Sequence, residues 1–163
     1  YYPFNIQPKD SPGTVMMFIG HYAGNGTLFA LIDYLGTYGL EAEVTDIIGT
    51  DNMLIRTRLS GGLSTWNFST DPDPKDIYVV SWDGAGDAAV YVYKNGALTL
   101  GSHSGTKVGT TAYATSQPGI GISLNSYGYQ GSFAGMAWFD EELSASEITS
   151  QIEKVFIPEI YSN

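Results

Sequence analysis

The sequence predicts an all-β domain closed by one short C-terminal helix. Three observations predict it. Tyr, Thr, Val, Ile and Phe recur in short runs, and Gly, Asn, Asp and Pro break those runs repeatedly. Twenty glycines in 163 residues supply the turns that so many short strands need. One segment alone, from Ser144 onward, leaves the β pattern for a helical spacing. A chain of this length suits one domain, 1–163, and no linker or internal repeat divides it.

The strands are read in order as Pro3–Gln7, Thr14–His21, Thr27–Tyr34, Gly39–Thr45, Met53–Leu59, Ser64–Phe68, Asp76–Trp82, Ala89–Lys94, Ala97–Gly101, Gly119–Asn125 and Ser132–Asp140. Lys94-Asn95-Gly96 joins two of them, and Asn-Gly tolerates the positive φ of a tight hairpin. Asn25-Gly26 invites the same reading. Asp71-Pro72-Asp73-Pro74 cannot continue a central strand, because each proline lacks an N–H. Gly101 to Ser116, rich in Gly, Ser and Thr, reads as a long surface loop. Ser144-Ala145-Ser146-Glu147 has the form of a capping box. Ile148, Ile152 and Val155 then share one helical face, which predicts about three turns ending before Pro158.

The formal charge is −10, from 7 Lys and Arg against 17 Asp and Glu. Such a surface repels phosphate backbones and anionic membranes, so nucleic acid is a poor partner. It suits neutral or cationic ligands or calcium, or else serves solubility alone. No apolar run approaches the roughly 20 residues of a membrane span. The chain has no cysteine, which excludes disulfides, thiolate nucleophiles and cysteine zinc sites and favours a bacterial or viral source. The two histidines, His21 and His103, lie far apart and read as surface or turn residues. The start at Tyr1 suggests a processed product or an excised domain.

Between about Asp76 and Val155, the runs from Val90 to Gly96, Ile120 to Ser123, Phe133 to Phe139 and Glu142 to Ile148 follow one another in an order that resembles the laminin-G-like, concanavalin A-like jelly-roll superfamily. Val90-Tyr91-Val92-Tyr93-Lys94-Asn95-Gly96 stands where that family has its strand-and-hairpin. Ile120-Gly121-Ile122-Ser123 and Phe133-Ala134-Gly135-Met136-Ala137-Trp138-Phe139 resemble its following strands. Glu142-Leu143-Ser144-Ala145-Ser146-Glu147-Ile148 resembles its closing helix. Thr27–Leu31, Gly39–Val44 and Asn52–Ile55 look like its early strands. The resemblance implies a β-sandwich of two stacked, curved antiparallel sheets with one short C-terminal helix. It does not fix function, since one fold carries many activities.

Three kinds of site are compatible with the residues. Glycan binding would draw on the 12 Tyr and 3 Trp, whose rings stack on the C–H faces of sugars. The candidates are Tyr127 and Tyr129 in a Gly-flanked loop with Asn125 nearby, Tyr38 and Trp66, and further off Tyr22, Tyr34 and Tyr113. Trp82, Trp138 and Phe139 read as core. Calcium binding would draw on Asp71, Asp73 and Asp76, or on Asp83 and Asp87, both also ordinary turn sequences. Catalysis would draw on Glu41-Ala42-Glu43-Val44-Thr45-Asp46, which resembles the E-x-D-x-x-E signature of concanavalin A-like glycosidases. Glu41 and Glu43 should share a strand face about 7 Å apart. The middle residue is Glu where that pattern has Asp, and the last is Asp where it has Glu. The simpler reading turns Leu40, Ala42 and Val44 inward and both Glu to solvent.

These readings converge on a non-catalytic carbohydrate-binding or adhesion module of a larger extracellular, cell-surface or virion protein. Its partner would be a glycan or cell-surface polysaccharide, with no nucleic acid and no membrane insertion. Glu41 and Glu43 are then candidate ligand contacts; no cofactor is required, and calcium is the one candidate. The alternative is a structural domain of a phage tail fibre or capsid decoration protein, assembling as a homo-oligomer or against neighbouring domains. A glycoside hydrolase is the third reading. Asn25-Gly26-Thr27 and Asn67-Phe68-Ser69 fit the N-glycosylation pattern.

Overall fold

A computed structural model describes the backbone of residues 12–24, 26–33, 39–46, 53–59, 62–68, 73–84, 88–105, 116–120 and 130–158, with side chains for about two fifths of the chain. The described strands form two antiparallel sheets. The elements are β1 (Gly13–Gly24), β2 (Gly26–Asp33), β3 (Gly39–Asp46), β4 (Met53–Leu59), β5 (Gly62–Phe68), β6 (Ile77–Trp82), β7 (Ala88–Lys94), β8 (Ala97–Leu100), β9 (Ser102–Gly105), β10 (Ser116–Ile120), β11 (Gln130–Phe139) and helix α1 (Ala145–Gln151). The five-stranded sheet has the order β11-β1-β6-β7-β8, and the six-stranded sheet β10-β2-β3-β4-β5-β9. The expected strand Pro3–Gln7 lies outside the described residues.

The central strands of the five-stranded sheet are apolar at nearly every position, and both of their faces are covered. Alternation then assigns each side chain to one of two cores. Val15, Met17 and Ile19 of β1 join Tyr78, Val80 and Trp82 of β6 and Val90 and Val92 of β7 in the first core. Trp66 and Phe68 of β5 complete it from the other sheet. Met16 and Phe18, between them in sequence, join Ile77, Val79 and Tyr93 in the second core, against Leu143, Ile148 and Ile152. One face of this sheet therefore packs on the six-stranded sheet and the other on the C-terminal helix. A strand covered on both faces needs an unbroken apolar run, which is what Val15-Met16-Met17-Phe18-Ile19 provides.

The helix begins as its sequence requires. Ser144 is the N-cap, with its hydroxyl accepting from the Glu147 N–H, and the Glu147 carboxylate accepts from the Ser144 N–H at 2.8 Å. Its second half departs from the expected spacing. Ile152–Phe156 winds as a π-helix, and helical conformation continues through Pro158. The wider turn places one more residue in each revolution. Val155, expected on the buried face, is therefore 39 % exposed. Phe156 takes its place, with its ring 5.3 Å from Phe18 and 6.3 Å from Phe139. The wide turn immediately precedes Pro158, whose ring would clash with the carbonyl four residues back in a regular α-helix.

Three other expectations are corrected. Asn25-Gly26 does not close a hairpin: β1 and β2 belong to different sheets, so the chain crosses between layers there. The stretch from Gly101 to Ser116 is not all loop, because Ser102–Gly105 forms β9 along the edge of β5. The strand read at Gly119–Asn125 begins earlier, at Ser116, and includes Pro118. Among the described strands β10 pairs only with β2, and at a sheet edge a proline costs no ladder hydrogen bond. The Lys94-Asn95-Gly96 hairpin is present as expected. Asn95 and Gly96 both have positive φ, and Lys94 pairs with Ala97.

The chain passes from one sheet to the other at Gly101. Its N–H donates to the Val90 carbonyl at 3.0 Å, and a Cβ there would lie 2.7 Å from the Phe68 ring. Only glycine allows this approach without moving Phe68.

Candidate ligand-binding face

The register of the six-stranded sheet decides which residues share its two faces. Residues directly opposite in an antiparallel ladder lie on the same side of the sheet. On β5, Trp66 and Phe68 point into the first core, while Thr65 is half-buried and Asn67 exposed on the other side. Thr65 is opposite Arg56 of β4 and Ser104 of β9, and Asn67 is opposite Leu54 and Ser102. Arg56 is in turn opposite Glu43 of β3, and Glu43 opposite Thr27 of β2. One cross-strand row on the outer face therefore runs Thr27, Glu43, Arg56, Thr65, Ser104.

This register also places the carboxylates of the glycosidase-like segment. Glu41 and Glu43 fall at outer-face positions. From Glu43 to Asp46 the pairing with β4 is regular, without a bulge, so alternation puts Asp46 at an inner-face position. Position 46 thus falls on the opposite side of the sheet from positions 41 and 43. Positions 41 and 43, the pair read for acid–base work, share one face by register.

Trp66 is not a stacking platform for ligand. It is 3 % exposed, packed between the sheets, with the His103 ring opposite it at 4.7 Å. Alternation along β5 sends it inward with Phe68. Trp82 is buried, as expected, with the ring of Trp138 set edge-on at 5.7 Å. Tyr38, Tyr127, Tyr129, Asn125, Asp71 and Asp87 lie outside the described residues, as do Tyr34 and Tyr113.

The acidic turn ahead of β6 has a built internal partner. Asp73-Pro74-Lys75-Asp76 closes with the Asp76 N–H donating to the Asp73 carbonyl at 3.1 Å, and Lys75 at φ 77°. Proline second and positive φ third make this a type II turn. The Asp76 side chain is almost wholly buried, and its carboxylate accepts from the Asp73 N–H at 2.8 Å. The Lys94 ammonium stands 3.3 Å from Asp76 and 2.6 Å from Asp73. Burial pushes the Asp76 carboxyl above the ordinary range, against the opposing pull of the Asp73 N–H and of Lys94. Burial alone would lower the Lys94 ammonium, but its hydrogen bonds and charge pairing with Asp73 and Asp76 hold it above the usual lysine range. A calcium ion at these two carboxylates would compete with a cation already in place. Asp83 sits at the far end of β6, about 20 Å from Asp76 along the strand, so the two acidic turns are separate. Among the described residues no three metal-ligating side chains come together.

Sequence reasoning passed over Thr14 and Ser81, which form a buried polar pair under the helix, and Arg56, whose place depends on register. The chain matches no protein-family model, and no curated protein matches it. No helix among the described residues is long and apolar enough to cross a membrane.

Proposed function

We propose that this chain is a non-catalytic carbohydrate-binding or adhesion module with a concanavalin A-like jelly-roll sandwich, part of a larger extracellular, cell-surface or virion protein. The observation that carries the reading is the asymmetry of the two sheets. The five-stranded sheet is covered on one side by β5 and on the other by the C-terminal helix. The described part of the outer face of the six-stranded sheet instead presents Thr65, Asn67, Ser102 and Ser104. Hydroxyl and amide groups on a rigid, broad face suit a polyhydroxylated ligand, which both donates and accepts. A glycan array with the purified domain, with calcium and again with chelator, tests this. Binding to a defined sugar class supports it, and silence in both conditions refutes it.

A second reading, an assembly domain such as a tail-fibre or capsid-decoration unit, is favoured by one other observation. Leu100 is 53 % exposed on β8, an uncharged strand at the edge of its sheet among the described strands. Uncharged edges carrying apolar side chains invite strand pairing between copies. Leu100→Lys should abolish a homo-oligomer seen by sedimentation, if that reading is right.

A further inference from the structure

We infer that Asn95 is a site of spontaneous deamidation to aspartate and isoaspartate, and that isoaspartate there unseats the hairpin that carries β8. The inference is independent of what the protein binds. Asn95 and Gly96 form the two-residue loop between β7 and β8, whose last ladder pair is Lys94 with Ala97. Both loop residues are exposed. Asparagine is among the chemically labile residues. Its amide is lost when the main-chain nitrogen of the next residue attacks it, so access to that nitrogen governs the reaction. Here the next residue has no side chain to shield it. Gly96 stands at φ 81°, and a Cβ built on it would meet nothing within 4 Å. Its place in the two-residue loop also leaves its N–H outside the ladder. Asn67 makes the contrast. It is exposed too, but Phe68 follows it, with its ring buried in the first core and its backbone in the ladder opposite Met53.

The chemistry needs only water. The Gly96 nitrogen gives its proton to hydroxide and bonds to Asn95 Cγ. The Cγ–Nδ2 bond breaks, and ammonia leaves with a proton from water. The resulting succinimide takes up one water at either carbonyl. Breaking the bond from nitrogen to Cγ yields aspartate with the ordinary main chain. Breaking the bond from nitrogen to the main-chain carbonyl yields isoaspartate, whose main chain runs through Cβ and Cγ. That lengthens a loop whose register depends on two residues at positive φ. The hairpin carries Leu98, packed on the second core, and Lys94, paired with Asp73 and Asp76. A longer loop loosens both attachments. Either product adds a carboxylate to a chain already at −10.

The test ages the purified domain for several weeks in neutral and in mildly alkaline buffer. Peptides are mapped by mass spectrometry, and isoaspartate is read by enzymatic methylation of its carboxylate. The Asn95 peptide should exchange amide for acid, mostly as isoaspartate and faster in the alkaline buffer, while the Asn67 peptide keeps its amide. The urea midpoint of the aged protein should fall in step with its isoaspartate content. Asn95→Gly keeps a residue at ease with positive φ and removes the amide, so its midpoint should not change with age. An Asn95 that keeps its amide, whether or not Asn25 or another asparagine converts, overturns the site. Conversion at Asn95 with an unchanged midpoint, or an equal fall in Asn95→Gly, overturns the effect on the hairpin.

Discussion

The hydroxyls of Thr14 and Ser81 lie 2.9 Å apart in the interior, on adjacent strands and directly opposite in register. Both residues are buried, and both reach the segment that leads into the helix. Thr14 Oγ1 accepts from the Leu143 N–H at 2.9 Å and also contacts the Glu141 carbonyl at 2.9 Å, while Ser81 Oγ reaches the Leu143 carbonyl at 3.3 Å. Two side chains thus satisfy backbone groups that entering the core would otherwise strand.

Thr14→Val keeps the shape and removes the acceptor for the Leu143 N–H. It should cost about 1–3 kcal/mol, the penalty for a buried unsatisfied donor. Urea denaturation would show it, and hydrogen exchange at Ile148 should speed up alongside. A change below about 0.5 kcal/mol would mean that water replaces the hydroxyl.

The π-helical register makes a sharp contrast between neighbours. Phe156→Ala removes a ring packed on Phe18 and Phe139 and should cost about 2–4 kcal/mol. Val155→Thr next to it should change stability by less than about 0.5 kcal/mol. Comparable costs at both positions would contradict the wide turn.

The crossing at Gly101 predicts coupling with Phe68. Gly101→Ala forces a methyl against the ring and should cost about 1–3 kcal/mol. Phe68→Leu should relieve much of that, so the double variant would show non-additivity above about 0.5 kcal/mol. Strict additivity would place the strain elsewhere.

Three groups set opposite pH trends. Asp76 has a folded pKa raised by burial, so the folded state holds its proton more tightly than the unfolded chain. Stability therefore falls as pH rises from the ordinary carboxylate range through its folded value. Glu147, lowered by its hydrogen bonds from the Ser144 hydroxyl and N–H, acts the other way: its contribution is present above the ordinary glutamate range and lost as pH falls through its folded value. Lys94, raised overall, contributes fully below the ordinary lysine range and loses that as pH rises through its folded value. Asp76→Asn keeps an oxygen for the Asp73 N–H and removes the buried ionisation. As pH rises from the ordinary carboxylate range through the folded value of Asp76, the variant should therefore gain stability relative to wild type. A relative loss over that interval would show that pairing with Lys94 outweighs burial.

Much of the fold is legible along the chain because it depends on local patterns. The Lys94-Asn95-Gly96 hairpin follows from two residues that tolerate positive φ, and the helix start from Ser144 and Glu147 reaching each other's backbone. Most strand runs follow from apolar spacing at short range. What local pattern could not decide was partnership. Whether Asn25-Gly26 closed a hairpin or crossed between sheets depended on which distant strands β1 and β2 would pair with. Trp66 was an aromatic in a strand, and only the arrival of the five-stranded sheet on that face made it core rather than surface. The same holds for the outer face: Glu43 and Arg56 are 13 positions apart in sequence, and only register sets them opposite each other. Local steric and hydrogen-bonding preferences are carried by neighbouring residues, so the sequence by itself determined the turns, the cap and the alternation. Burial and cross-strand pairing are properties of the closed chain, so the tertiary structure alone decided which alternating side became core.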